Sequence, residues 1–202
     1  MELTLPAATL AREMSLMQGV VERRTPHQIL SNVLLEARDQ TLTLTATDLD
    51  TTFVSEIESL SLKSVGAVTV PARRLFDVVR DLPPAAEVRL RVLENHHVQI
   101  DCKEPKLRIR LNGLPATDFP TRPEAAGGPT LTLTFGALRR MVEKVRFAVS
   151  TEEIRLQLQG ALLKPKDGGL EMAATDGHRL ALIEVENATA EAGFEAILVS
   201  KK

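Results

Sequence analysis

The stretches LTLPAATL (Leu3–Leu10), VTVPARRL (Val68–Leu75) and LTLTFGAL (Leu131–Leu138) each read as a short alternating strand running into a helix. In each, the helix opens on a small residue or two. AILVSKK (Ala196–Lys202) begins a fourth copy. A longer self-similarity sits above this one. Shifting the chain by 128 residues brings Leu3 and Leu5 onto Leu131 and Leu133, Leu10 onto Leu138, and Arg12 onto Arg140. The same shift carries Leu30 onto Leu158, Leu34-Leu35 onto Leu162-Leu163, and Ala46-Thr47-Asp48 onto Ala174-Thr175-Asp176. One ungapped offset that holds register through a helix, a loop and two strands marks a duplicated unit. It also sets Lys201 and Lys202 on Arg73 and Arg74.

The pattern between these anchors gives the unit its content. Leu10, Met14, Met17 and Val21 recur at three and four, as do Leu75, Val78, Val79 and Leu82 before Pro83-Pro84. Leu138, Met141, Val142, Val145 and Val149 do so in the third copy. These are buried stripes of amphipathic helices. Elsewhere the period falls to two, in TLTLTATDLDTTFVSEIE, EVRLRVLENHHVQIDC, KLRIRLNGL, IRLQLQGALL and LEMAATDGHRLALIEVE. Half-buried strands have that period, with turns expected at Glu94-Asn95, Asn112-Gly113 and Lys166–Gly169. Each module is therefore β-α-β-β-β, with helices on one face of antiparallel sheets, an α+β fold. LPATDFPTRPEAAGGPT (114–130) has no period and reads as a link between a first domain at 1–124 and a second at 129–202.

Composition removes several classes of function. The apolar fraction is 44% and the charged fraction 26%, the balance of a globular protein. No apolar run reaches the ~20 residues of a membrane span, and the N-terminus has no signal-peptide pattern. Cys102 is the single cysteine, so no internal disulfide or thiolate zinc site is expected, and a reducing compartment is. The chain has no Trp or Tyr and only six Phe, too few for base stacking. Charge is unevenly spread. Residues 8–24, 72–82 and 136–149 sum to +5, although the whole chain carries −2. Three helices sharing one sign on an acidic protein favour a layer that faces a polyanion.

MAATDGHRLAL (Met172–Leu182) sets an acid, a glycine, a histidine and an arginine between apolar runs. It reads as the edge of an active site, a tight turn or a docking surface. Catalysis by Asp176 and His178 needs a nucleophile or metal and a third orienting group, and the sequence offers none. ATD recurs in both copies, which points to a structural turn; GHRL is confined to the second, where a function special to that domain belongs.

The chain resembles the bacterial β sliding clamp family, the processivity subunit of DNA polymerase III. The resemblance covers essentially its whole length. It rests on ATDGHRLA (174–181), TVPARRLFDVVRDLP (69–83), LPATDFP (114–120), TATDLD (45–50) and the module order. It implies the DNA clamp fold, with sheets outside and helices lining a hole. This chain matches domain one and the first half of domain two, the N-terminal portion, and stops before that domain's second module. It also implies a partner-peptide pocket on domain two at Leu158, Thr175, Gly177, His178, Arg179 and Leu180. DNA contacts are implied at Arg24, Arg73 and Gln157, with Lys201 added as the repeat counterpart of Arg73. One departure is Glu152 with Leu156, in a loop where many clamps place DNA-touching residues; Glu152 would repel phosphate. A subunit interface is implied at Arg74, Val78 and Leu82.

On that resemblance the protein is a cytoplasmic DNA-replication factor that works by topology, with no catalytic residue, metal or cofactor. Its partners are double-stranded DNA without sequence preference, the DNA polymerase III catalytic subunit, the clamp loader and other proteins bearing the clamp-binding motif. At full length it forms a homodimer ring. The alternative is a non-ring peptide-binding interaction module. An enzyme built on His178 comes last.

Overall fold

The computed structural model describes residues 1–21, 26–121, 127–152, 154–186 and 188–201. Arg24 therefore lies outside the described residues. The chain divides into two compact units, Met1–Pro123 and Glu124–Lys202.

In the first unit the elements run β1 (Glu2–Pro6), α1 (Ala7–Met17), β2 (Asn32–Arg38), β3 (Thr41–Thr47), β4 (Thr52–Glu58) and β5 (Ser61–Ser64). They continue with β6 (Gly66–Pro71), α2 (Ala72–Arg80), β7 (Glu87–Val92), β8 (His97–Cys102) and β9 (Leu107–Asn112). Two antiparallel sheets result, ordered β5-β1-β7-β8-β9 and β4-β3-β2-β6. Neither module builds a sheet alone. The first strand of each, β1 or β6, pairs with the second strand of the other, β7 or β2. In one core, Leu10, Met14 and Met17 of α1 and Leu75 and Val79 of α2 are buried with Leu3, Leu5, Leu35, Leu44, Leu90 and Ile100. Each such side chain contributes roughly 1.5–3 kcal/mol of burial. Pro6 and Pro71, both at negative φ with extended ψ, end the strands and open the helices.

The second unit repeats the plan: β10 (Leu131–Thr132), α3 (Phe135–Val145), β11 (Gly160–Lys166), β12 (Gly169–Thr175), β13 (Leu180–Glu186), β14 (Thr189–Ala190) and β15 (Ile197–Ser200). The bounds of α3, β11, β12 and β13 are those of α1, β2, β3 and β4 displaced by 128 residues. Its larger sheet is ordered β13-β12-β11-β15. Met141 and Val145 of α3 pack there with Leu163, Leu170 and Met172.

Five sequence expectations are corrected. The offset slips to 129 by the last strand, because Asn32 opposes Pro71 while Gly160 opposes Ser200. Lys201 therefore takes the place of Ala72, not of Arg73, and Lys202 is outside the described residues. The added residue falls between β14 and β15, where no alternation fixes register. Second, Asn112-Gly113 is not a turn; residues 103–106 form it. Gly113 serves close approach, since a Cβ there would lie 2.4 Å from the carbonyl oxygens of Thr69 and His96. Third, Leu156–Leu158 is a 3₁₀ turn rather than strand, and Leu158 precedes β11. Fourth, Val142 is 38% exposed, because the buried face of α3 runs through Met141 and Val145. Fifth, 114–121 is no free link: Leu114 bridges Thr69, a 3₁₀ turn covers Ala116–Asp118, and Phe119 is buried.

Candidate functional site

The loop between β12 and β13 is a closed hydrogen-bonded hairpin turn. The backbone N–H groups of His178 and Arg179 both donate to Asp176 Oδ1 at 3.0 Å, and Arg179 Nε donates to Asp176 Oδ2 at 2.8 Å. Thr175 Oγ1 donates to the carbonyl of Arg179 and accepts from Gly177 N–H. The amides of His178 and then Arg179, aided by the Arg179 guanidinium, hold the Asp176 carboxyl down at about 2. Asp176 is thereby a poor general base, and its hydrogen bonds go to the backbone of His178 and to Arg179 rather than to the His178 ring. Gly177 sits at φ +90°, a conformation that costs glycine little.

This turn brings Thr175, Gly177, His178, Arg179 and Leu180 together. The loop before β11 reaches it: Arg155 Nη1 lies 3.2 Å from where a Gly177 Cβ would be, and Arg155 N–H bonds back to Glu152. Leu158, half-buried, ends the same loop. The Arg179 guanidinium also stands 5.7 Å over the Phe147 ring. Register adds an apolar rung that sequence reading missed. Leu198, Leu162, Ala173 and Leu182 oppose one another across β15, β11, β12 and β13, and Leu180 pairs with Thr175 on the hairpin beside it. Their outward faces are open: Leu162 is 41% exposed, Leu198 48%, Leu182 50% and Leu180 68%. The alternation of LALI carried the signal, but only register joins it to Leu162 and Leu198.

The helices carry the cations. Arg73 and Arg74 on α2, and Arg140 and Lys144 on α3, are exposed and enter no ion pair among the described residues; Arg146 just beyond α3 is the same. Arg139 is bound to Glu143, and Arg80 to Asp77 and Asp81. Gln157 and Lys201 are exposed, the latter held by its N–H to the Gln159 carbonyl. Glu152 pairs with Arg155, which moderates its charge toward an anion.

Arg74, Val78 and Leu82 share one groove, and its far wall is Leu107, Ile109 and Leu111 of β9. Among the described residues β9 is an edge, paired only with β8. Val78 and Leu82 are half-buried against the core below, so they are at once core and groove wall. The β9 residues were not singled out from sequence; their alternation marked them as strand, not as edge.

Known proteins share this arrangement. The family model described as "DNA polymerase III beta subunit, N-terminal domain" matches residues 1–123, and the "central domain" model matches 132–202. The Beta sliding clamp of Pseudomonas putida is 36% identical over 202 residues, all of this chain and 54% of that protein. The sliding clamp (DNA polymerase III subunit beta) of Pseudomonas aeruginosa, solved bound to griselimycin, superposes with a TM-score of 0.90 at 34% identity. That of Caulobacter crescentus pol III beta is 0.88 at 36%. Each superposition covers the whole chain and 54% of the solved one. The chain thus spans about half the length of the relatives it matches.

Proposed function

The chain belongs to the DNA polymerase III beta subunit family, and from that premise we propose that the protein it represents is a sliding clamp. In its full-length form it encircles duplex DNA and tethers the polymerase without doing chemistry. The observation that carries the reading is the hairpin turn Thr175–Leu180 set beside an outward leucine rung on the second unit. An extended peptide can lay two or three apolar side chains on Leu162, Leu180 and Leu182 while the turn supplies polar contacts from His178 and Arg179. The occupants are the clamp-binding segments of the polymerase catalytic subunit, the clamp loader and other proteins with that motif.

Arg73 and Gln157, with Arg24, contact duplex DNA in this reading; Lys201, which aligns with Ala72, is not among them. Lysine and arginine on helices address phosphates and not base edges, so affinity is weak, sequence-independent and steeply salt-dependent. Arg74, Val78 and Leu82, together with the β9 edge, form the junction with a second copy in a homodimer ring. Such a factor works in the cytoplasm, with replication. Linking polymerase to a closed ring replaces repeated encounters by an effectively intramolecular one.

The test is titration of a fluorescent peptide from the polymerase catalytic subunit against the full-length protein and its His178→Ala and Leu180→Ser variants. Loss of at least tenfold in affinity, with thermal unfolding unchanged, is the expected result. Unaltered peptide binding in both variants overturns the pocket assignment.

A further inference from the structure

The outward face of the sheet β5-β1-β7-β8-β9 carries a regular arginine grid, of which the clamp reading uses only the β9 edge, where Arg110 also lines the junction groove. Alternation sends Val88, Leu90, Val98 and Ile100 into the core and sets Arg89, Arg91 and Asp101 on the opposite face with Arg108 and Arg110 of β9. Gln99 shares that face but is itself buried, at 2% exposure. Register lines them up in two rungs, Arg89–Asp101–Arg108 and Arg91–Gln99–Arg110. Lys63, Lys103 and Lys106 rim the cleft beside the first rung. Seven cations therefore meet four carboxylates, Glu2, Glu87, Asp101 and the Glu104 that lies between Lys103 and Lys106, on a chain whose net charge is −2.

The local acids do not neutralise this face. Glu2 is shared by Arg89 and Lys63, and Asp101 accepts from Arg108 and Gln99. Burial pushes the Asp101 carboxyl up, yet the bonds from Arg108 and Gln99 and the nearby Arg108 and Arg91 charges prevail and hold it below its usual range. Arg91, Lys103, Lys106 and Arg110 form no ion pair among the described residues. Among the described residues Arg91 Nε is buried and has no acceptor.

We propose that this grid is a docking surface for an acidic, extended protein segment. Arginines two apart on one strand stand about 6.8 Å apart, which is also the spacing of alternate side chains in an extended peptide. Glutamates or aspartates at alternate positions thus meet successive guanidiniums along β7 or β9. Each guanidinium offers the planar donor fork that suits a carboxylate. A single-stranded nucleic acid fits less well, because none of the residues named on this face is aromatic and base stacking has no platform. The surface lies wholly within the first unit, so the proposal does not rest on the peptide pocket of the second.

The test is fluorescence anisotropy of labelled octaglutamate against the full chain, beside an oligothymidylate of eight nucleotides. Expected is saturable, salt-sensitive binding of octaglutamate that weakens at least tenfold in Arg91→Gln/Arg108→Gln. It should weaken at least threefold in the exposed-turn variant Lys103→Gln/Lys106→Gln, and not change in Arg38→Gln. The second variant keeps the test alive if the first fails to fold. Absence of saturable binding, equal loss in Arg38→Gln, or oligothymidylate binding as tightly as octaglutamate each overturns the proposal.

Discussion

In the first unit the rung Thr69–Leu34–Thr45–Val54 is covered over most of its length: Thr69 and Thr45 are buried and Leu34 is half-buried. Phe119 and Pro120 border the groove that Leu34, Thr45 and Val54 line, and Val54 at its end is 39% exposed. The counterpart rung of the second unit, Leu198–Leu162–Ala173–Leu182, has nothing over it among the described residues and leaves three leucines open. The strands, their order and the adjoining turns correspond. What differs is whether the polypeptide covers its own sheet. Where it does, polar residues are affordable, because Thr69 Oγ1 donates to the Leu114 carbonyl and accepts from Asn32 Nδ2. Where it does not, aliphatic side chains stay in water, an arrangement that marks a binding surface more often than chance exposure. A tethered segment needs little intrinsic affinity, whereas a separate peptide must find all of its affinity in the contacts.

Removing the cover is the harshest way to break this comparison. Phe119→Ala deletes a side chain that is only 6% exposed, and a loss of about 3 kcal/mol is expected. Urea unfolding of the first unit measures it, and a loss under about 1 kcal/mol would show that Phe119 merely rests on the sheet. The matching change on the open rung, Leu182→Ser, should leave stability within about 0.5 kcal/mol. It should weaken a polymerase-derived peptide on the full-length protein about tenfold, near 1.4 kcal/mol. If both changes cost stability alike, the two rungs are the same kind of surface and the contrast fails.

The sequence carried the modules because helix and strand periods are local. A repeat of Leu10, Met14 and Met17, or of Leu42, Leu44 and Ala46, reports which face is buried without knowledge of any partner. Pairing is not local. That β1 leaves its own module for β7, and that Leu198 reaches Leu162, follows from register across distant strands. Phe119 was hidden for a different reason: it is one aromatic in a Pro-rich stretch with no period, and only its burial separates cover from linker. The slip that displaces Lys201 sits in a loop, where adding a residue costs little and leaves no pattern. The turn 175–180 was legible because its glycine and its side-chain acceptor are consecutive residues.

That turn offers a finer test of likeness between the units. Thr47-Asp48-Leu49 repeats its hydrogen bonds: Asp48 Oδ1 accepts from the N–H groups of Asp50 and Thr51, and Thr47 Oγ1 donates to the Thr51 carbonyl. Leu49 holds φ +81° where Gly177 holds +90°. A leucine there bears roughly 1–2 kcal/mol of left-handed strain, and glycine gives back about 0.5–1 kcal/mol of that gain in chain entropy. Leu49→Gly should therefore stabilise the first unit by roughly 0.5 kcal/mol, while Gly177→Ala destabilises the second by about 1 kcal/mol. Thermal unfolding of each variant reads the signs, and like signs would mean that the turns differ in strain.

The smallest effect expected is electrostatic. The amides of His178 and Arg179 hold the Asp176 carboxyl at about 2 in the folded protein, below the usual aspartate range. Because the folded value is the lower one, its contribution is complete above the unfolded pKa and declines as pH falls from about 4 toward 2. The group lies at the surface and is partly exposed, so solvent screens the gain and the slope of stability against pH should be slight. Amide chemical shifts of His178 and Arg179 should move together with a midpoint near pH 2, and Asp176→Asn should abolish that step while keeping the hairpin. A midpoint near pH 4 would mean that the two amides do not hold the carboxylate. The turn would then be looser than its counterpart at Asp48, and a partner peptide would have to order it on binding.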